Sequence, residues 1–172
     1  MTKFEFRMAN EKGDHTLSFI RHSPFEFRRS ATLPRFPAKP ENGGMNIHGI
    51  GTDIIECLRI AAMIEKHGEL FLSRVYTPHE IEYCSARRAA NQHYAGRFAA
   101  KEAVLKALGT GWTRGIQWQD IEVRNELGGK PRIALSGGAR ELCIKTGISE
   151  VLITISHCRS FATAYAIAVG KE

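Results

Sequence analysis

The sequence predicts an α+β domain in which helices pack against an antiparallel sheet. Strand-like segments rich in β-branched residues occur at residues 47–55 and 151–156, near the two ends of the patterned region. Between them, helical segments carry their own start and stop signals, and two further strand-like segments flank a glycine turn. Helices lying on an antiparallel sheet are typical of the α+β class.

Residues 1–44 differ in composition from the rest of the chain. This segment is rich in Arg, Phe and Pro, lacks sustained helical or strand periodicity, and ends in Pro-Glu-Asn-Gly-Gly. It has no continuous apolar core for a secretory signal, and it carries too many acids for a typical organellar transit peptide. We therefore expect a disordered N-terminal extension at 1–44 and the folded domain at 45–172.

The domain is expected to begin with a strand and a helix. An apolar segment with glycines covers 47–55 and runs into a helical pattern over 57–67. The next helix has a strong start signal, with Thr77 at the N-cap, Pro78 at the first helical position and Glu80 two residues later. This arrangement is a capping box that begins with proline.

The helix that begins at this box is expected to break over 85–92 and to resume over 94–108. Gly109 then ends it, because glycine is favoured immediately after a helix C-terminus. Alternating residues at 121–124 and a partner at 132–135, with Gly128 and Gly129 between them, predict a hairpin.

The last third of the domain is predicted to form a short helix and two strands. The helix covers 139–145 and is closed by Gly147. A β-branched strand follows at 151–156, and a turn at 157–160 returns the chain through a second strand at 161–169.

Composition narrows the class of protein. The net charge of +6 and the pI near 9.3 favour an anionic partner, although charge of this size also serves solubility alone. No apolar run approaches the roughly 18 residues that a membrane span needs. The chain has four cysteines and no Cys-x-x-Cys pair, which argues against a zinc ribbon and for reduced thiols in a cytoplasmic protein.

Asp53 is a carboxylate among apolar residues, and Gly49 and Gly51 precede it. Strand alternation would turn its side chain toward the interior side. The absence of side chains at the two glycines would let a ligand approach the backbone closely. The alternative is that Asp53 caps the following helix, a position that Asp favours.

Glu102 borders an apolar face, because Phe98, Glu102 and Leu105 share a stripe at helical spacing. The alternative is a surface ion pair with Lys106, four residues further along. If Asp53 and Glu102 meet, two carboxylates about 4 Å apart repel by about 4 kcal/mol at an effective dielectric of 20. Such a pair shares a proton or binds a cation, and oxygen ligands completed by water and phosphate suit Mg²⁺.

Three basic residues surround Glu102 on its helix: Arg97, Lys101 and Lys106. They would hold phosphate oxygens, or they would form a solvated helix face. The loop Gly109-Thr110-Gly111 would offer backbone amides to an anion, although the preceding helix C-terminus disfavours negative charge. His157 ends a predicted strand, where it would contact a phosphate, orient a carboxylate or serve only as a turn residue.

These motifs resemble a known family. The segment Gly49-Ile50-Gly51-Thr52-Asp53-Ile54-Ile55-Glu56 resembles the first signature of the holo-acyl-carrier-protein synthases, and Gly96-Arg97-Phe98-Ala99-Ala100-Lys101-Glu102-Ala103 resembles the second. The later matches, in the family's order, are Gly109-Thr110-Gly111, Asp120-Ile121-Glu122-Val123, Gly128-Gly129-Lys130-Pro131 and Ile155-Ser156-His157. The resemblance spans about residues 45–170.

The resemblance implies a 4′-phosphopantetheinyl transferase. Enzymes of this family move phosphopantetheine from coenzyme A to a serine of apo-acyl carrier protein and release adenosine 3′,5′-bisphosphate. It implies that Asp53 and Glu102 bind Mg²⁺, that Lys106 contacts a phosphate and that His157 lies near the nucleotide. Glu102, Lys106 and His157 are the expected catalytic residues. The expected cofactor-binding residues are Arg97, Lys101, Lys106, Gly109, Thr110, Gly111 and His157.

The family resemblance also implies partners. Similar members form homotrimers with sites between subunits, so Asp53 and Glu102 would come from one chain or from two. The first helix would meet the acidic carrier protein through Arg59, Lys66 and Arg74. The proton acceptor is either Glu102 or a water. Two other classes remain, a basic nucleic-acid-binding module and a non-catalytic interaction protein, but no nucleic-acid-binding signature is visible in the sequence.

Overall fold

The structure, a computed structural model, describes residues 45–110 and 115–171, with side chains through residue 170. The predicted disorder of residues 1–44 lies outside the described residues. In chain order, the elements are β1 (Met45–Glu56), α1 (Cys57–Val75), α2 (Pro78–Ser85), α3 (Ala90–Ala107), a 3₁₀ turn (Trp118–Asp120), β2 (Ile121–Asn125), β3 (Pro131–Leu135), α4 (Gly137–Thr146), β4 (Ile148–His157) and β5 (Phe161–Lys171).

The strands form two antiparallel sheets. The larger sheet has the order β1-β5-β4, and the smaller sheet is the hairpin β2-β3. The α+β class is confirmed. The hairpin β2-β3 forms an antiparallel sheet of its own.

Helix α3 crosses the larger sheet at very short range. Asp53 and Ile155 pair with Ala164 from opposite sides, so residues of all three strands share the face beneath α3. Buried alanines line both sides of this contact: Ala95, Ala99, Ala100 and Ala103 on α3, and Ala162, Ala164, Ala166 and Ala168 on β5. Small side chains let the helix lie close to the sheet and rigidly over it.

The closest approach uses Gly49 and Gly51 of β1. A β-carbon placed on Gly51 would lie 2.0 Å from the carbonyl oxygen of Ala103, and one on Gly49 would lie 2.1 Å from that of Ala107. These distances are far below van der Waals contact, so only glycine fits. The interpretation that the glycines admit a ligand is corrected, because α3 fills that space.

The helix boundaries agree with the local signals. Thr77 Oγ1 accepts from the Glu80 amide at 3.3 Å, and Glu80 Oε2 accepts from the Thr77 amide at 2.9 Å, which confirms the capping box. Gly109 and Gly147 have φ of 70° and 77°, as predicted for residues that end helices. Helix α1 runs further than predicted, to Val75, but Gly68 interrupts it with φ of 53° and ψ of −134°. None of the helices in the described ranges has the length and apolarity for crossing a membrane.

Candidate active site

Asp53 lies on β1 and faces α3. Residues 49, 51 and 53 share one side of the strand, since side chains alternate between faces. The first two of these positions contact α3, and the Asp53 side chain is only 17% exposed. The alternative role as a helix cap is excluded, because Glu56 occupies the N-cap of α1.

Glu102 lies on the flank of α3 that borders β1. From Gly49 to Gly51, the contact on α3 moves back from Ala107 to Ala103. Two residues along a strand cover about 6.6 Å, and four residues along a helix cover about 6 Å, so the two elements keep pace with each other. Two residues beyond Gly51, Asp53 therefore lies beside the helical turn that precedes Ala103. The partly buried Glu102 belongs to this turn. The structure therefore brings Asp53 and Glu102 to one flank of α3 within one chain.

Lys106 follows Glu102 by one helical turn and contacts Asp53. Its Nζ lies 2.9 Å from Asp53 Oδ1 and 2.9 Å from the backbone oxygen of Thr52. The Lys106 side chain is half exposed. The ammonium thus reaches across to the strand and contacts Asp53, on the same flank of α3 as Glu102; these three residues are called the Asp53 cluster below.

The donor set fits a magnesium ion that keeps several other oxygen ligands. Within residues 45–110 and 115–171, no three His, Cys, Asp or Glu side chains converge as a metal-holding group. Mg²⁺ is typically bound through one or two carboxylates together with water and substrate phosphates. Two acids beside a half-exposed lysine match that pattern, and Asp53 and Glu102 are the residues that would hold the ion.

His157 lies on the opposite flank of α3. It ends β4 and pairs with Ala162, whose other neighbour is Ile55 of β1, so β5 separates His157 from the strand that carries Asp53. The His157 ring packs 5.4 Å from the ring of His93 on α3. Within one chain, the structure does not bring His157 to the Asp53 cluster.

His93, which packs against His157, was not identified from the sequence. Burial lowers its pKa below the usual 6.5, and the nearby His157, Arg97 and Arg87 lower it further. The available signal was the four-residue spacing of His93 and Arg97, which places them on one face of α3.

Arg97 points into the protein. Its Nη2 donates to Asn125 Oδ1 at 2.8 Å, and its guanidinium lies 3.9 Å above the Tyr83 ring. The buried Nε has no hydrogen-bond partner among the described residues. Arg97 therefore supports the hairpin and α2. A phosphate contact by its guanidinium stays a prediction.

Lys101 is fully buried and does not face a ligand. Its Nζ lies 2.8 Å from Glu80 Oε2 and donates to the backbone oxygens of Trp118 and Ile121. Burial lowers the pKa of Lys101, and the Glu80 carboxylate opposes this shift. The predicted phosphate contact is corrected, because the three ammonium hydrogens have three partners inside the core. Glu80 was identified only as part of the capping box, and its link to Lys101 has no local signal.

The glycine loop after α3 uses its amides to close the helix. The Gly109 amide donates to the Lys106 carbonyl at 3.1 Å, and the Thr110 amide donates to the Leu105 carbonyl at 3.4 Å. The expected anion contact through these two amides is corrected, since both are engaged. Gly111 lies outside the described residues.

The predicted docking residues are exposed on α1, but they do not form one continuous face. Arg59 and Lys66 precede the interruption at Gly68, and Arg74 follows it. Leu58 and Leu70 are also exposed, at 77% and 70%. A hollow at the start of α1 is lined by Ile54, Ile55, Glu56, Arg59 and Phe161.

The family follows from a comparison with known proteins. Residues 49–169 match the family described as the 4′-phosphopantetheinyl transferase superfamily. The chain belongs to this superfamily. The family predicted from the sequence is confirmed, and the enzyme class is that of the holo-acyl-carrier-protein synthases.

Similar proteins cover most of the transferase domain. The holo-[acyl-carrier-protein] synthase of Protochlamydia amoebophila is 50% identical over 119 residues, which span 69% of this chain and 95% of the relative. The Bacillus anthracis synthase, solved in complex with CoA (3′,5′-ADP), is 37% identical with a TM-score of 0.61, covering 74% of this chain and 99% of that chain. The Helicobacter pylori synthase, solved with coenzyme A, is 32% identical with a TM-score of 0.62, covering 69% and 98%.

Proposed function

We propose that the enzyme transfers 4′-phosphopantetheine from coenzyme A to a serine of an apo-acyl carrier protein and releases adenosine 3′,5′-bisphosphate. The observation that carries the proposal is the cluster of Asp53, Glu102 and Lys106 on one flank of α3. The similar Bacillus anthracis synthase, solved with CoA (3′,5′-ADP), and the Helicobacter pylori synthase, solved with coenzyme A, support coenzyme A as the donor.

In the proposed reaction, Asp53 and Glu102 would hold Mg²⁺, which when bound would neutralise pyrophosphate charge and polarise the phosphorus. Lys106 donates hydrogen bonds to a phosphate oxygen. The carrier serine hydroxyl attacks the β-phosphorus in line, and the bond from that phosphorus to the adenosine-bearing phosphate breaks. Glu102 or a water beside it accepts the serine proton.

His157 contacts the nucleotide in this proposal. Because α3 and β5 separate His157 from Asp53 within one chain, a site that uses both residues is completed by a second chain. We place the Asp53 flank of one chain against the His157 flank of the next, in a homotrimer. Exposed apolar residues on the outer face of the sheet support such an assembly, among them Ile54 at 67% and Tyr165 at 54% exposure.

The proposed carrier-protein surface is the first part of α1. Arg59 and Lys66 supply positive charge for an acidic partner, and the exposed Leu58 supplies an apolar contact. A cytoplasmic location is proposed from the cysteines, all four of which are free thiols.

The direct test is incubation of the purified enzyme with coenzyme A, Mg²⁺ and apo-acyl carrier protein, followed by intact mass of the carrier. We expect a gain of one phosphopantetheine group and loss of that gain when Mg²⁺ is chelated. Glu102→Gln should reduce turnover by at least a hundredfold, because the variant loses one of the two metal-binding carboxylates.

The matched control is Glu141→Gln, which removes the same charge from an exposed position on α4 and should leave turnover unchanged. Circular dichroism should show that both variants are folded. Normal turnover by folded Glu102→Gln would refute the role of this carboxylate.

A further inference from the structure

We propose that Lys106 is a built-in counter-cation for Asp53, and that coenzyme A binding draws Lys106 away so that the carboxylate can take the metal. The inference rests on the proposed function and concerns the order in which its site is loaded. Its basis is direct contact, because Lys106 Nζ lies 2.9 Å from Oδ1 of Asp53, a carboxylate that would hold the metal.

The ammonium is held at this position by the fold. Gly51 lets α3 approach β1 so closely that a β-carbon there would lie 2.9 Å from the Lys106 β-carbon. The root of the Lys106 side chain is therefore fixed beside β1. At its other end, Nζ donates both to Asp53 Oδ1 and to the Thr52 carbonyl. Two acceptors on one strand make this a defined resting position for the lysine.

The pair is nevertheless loose enough to open. The two side chains are 50% and 17% exposed, and exposed ion pairs contribute little stability. The pair between Lys101 of the same helix and Glu80 of α2 differs, because both of its side chains are fully buried. Lys101 therefore anchors α3, whereas Lys106 can exchange Asp53 for another anion.

The ammonium and a divalent cation cannot share one carboxylate oxygen without repelling each other. A phosphate brought by coenzyme A is a stronger attraction for the ammonium than a single carboxylate. When Lys106 turns to that phosphate, Asp53 becomes free for the cation. Coenzyme A and the metal would thus strengthen each other's binding, and such coupling is reciprocal.

The test measures binding of Mn²⁺ alone, by loss of its free electron paramagnetic resonance signal, to the full-length protein and to Lys106→Met. Carboxylate sites that suit Mg²⁺ also take Mn²⁺. We expect the variant to bind Mn²⁺ about two- to fivefold more tightly, the change that corresponds to losing one exposed ion pair. In the same variant, coenzyme A should bind several-fold more weakly.

These opposite signs separate the proposal from a folding defect, which would weaken both ligands. Lys145→Met removes the same charge from an exposed position near the end of α4 and should change neither affinity. If Lys106→Met does not fold, Lys106→Gln serves as the second variant. A further expectation is that coenzyme A tightens Mn²⁺ binding by a larger factor in the wild type than in the variant.

Asp53→Asn distinguishes two kinds of failure. If Asp53→Asn weakens Mn²⁺ binding but Lys106→Met leaves it unchanged or weaker, the counter-cation role is wrong and the proposed metal site stands. If Asp53→Asn binds Mn²⁺ as tightly as the wild type, the metal assignment of the proposed function fails, and the counter-cation role fails with it.

Discussion

His93 and His157 form a ring contact between α3 and the end of β4, close to two arginines. Arg97 and Arg87 lie near enough to lower the pKa of His93, and partial burial lowers it most. Protonation of His93 beside these two arginines is therefore unfavourable. The same flank is the one that we propose meets the nucleotide.

The lowered pKa of His93 predicts an acid-sensitive contribution to stability. Between the lowered pKa and 6.5, the unfolded chain binds a proton that the folded chain does not. The free energy of unfolding should therefore fall as pH drops through 6.5. His93→Gln removes this contribution and should flatten the profile, measured by urea unfolding from about pH 5 to about pH 8. His67→Gln, at an exposed position on α1, should keep the wild-type slope. An unchanged slope in His93→Gln would contradict the assignment.

At the scale of elements, the contact between β1 and α3 positions the candidate site. Asp53 comes from the strand, and Glu102 and Lys106 come from the helix. Their meeting depends on how closely the two elements approach. Gly51 sets that distance, because any side chain there collides with the backbone of α3.

Gly51→Ala should therefore damage both stability and activity. Its methyl group would lie 2.0 Å from the Ala103 carbonyl oxygen, and overpacking of this kind typically costs about 1–3 kcal/mol. We expect that loss in urea unfolding, together with a loss of transfer because Asp53 moves away from Glu102. Gly128→Ala is the matched control, since nothing lies within 4 Å of an added methyl group at that turn. Wild-type stability and turnover in Gly51→Ala would show that the strand and helix adjust freely.

Local signals predicted most of the elements, and their limits have a physical cause. The Thr77 capping box and the closing glycines Gly109 and Gly147 act through neighbouring backbone groups, so their effect is visible in a short segment. The buried contacts of Arg97 and Lys101 were not predicted, because their partners lie in elements that are distant in the sequence. Asn125 is 28 residues from Arg97, and Glu80 is 21 residues from Lys101.

The candidate site was predictable only in part, because some of its contacts also depend on elements that are distant in the sequence. The motifs identified Asp53, Glu102 and Lys106, and the structure places these three on one flank. It also shows that the amides of Gly109 and Thr110 donate hydrogen bonds to carbonyls at the end of α3, which residue type alone does not reveal. The division of the hairpin from the main sheet likewise depends on packing and not on strand propensity.

At the scale of the whole molecule, the sheet has one face covered by α3 and one face with exposed apolar side chains. The exposed residues on this outer face include Ile50 at 65%, Ile54 at 67% and Tyr165 at 54%. Apolar patches of this kind mark interaction surfaces. The proposed homotrimer would cover them.

Ile54→Glu should therefore weaken the assembly. A charge buried in an apolar interface without a partner is strongly unfavourable, so we expect a shift from trimer to monomer in light scattering coupled to size-exclusion chromatography. Transfer should fall at the same protein concentration if two chains build the site. Leu127→Glu is the control, because Leu127 is fully exposed at the hairpin turn. A wild type that runs as a monomer would refute the assembly.

The alanines of β5 beneath α3 have a consequence for how the protein tolerates variation. All four of these alanines are completely buried: Ala162, Ala164, Ala166 and Ala168. Their side chains are already small, so substitution there can remove hardly any volume. In a saturation library, these four positions should therefore show a one-sided pattern, with glycine and serine survivors and an absence of larger residues. Damage there would come from added volume and not from cavities. A search for rescuing second-site changes should accordingly find glycine in place of the facing alanines of α3.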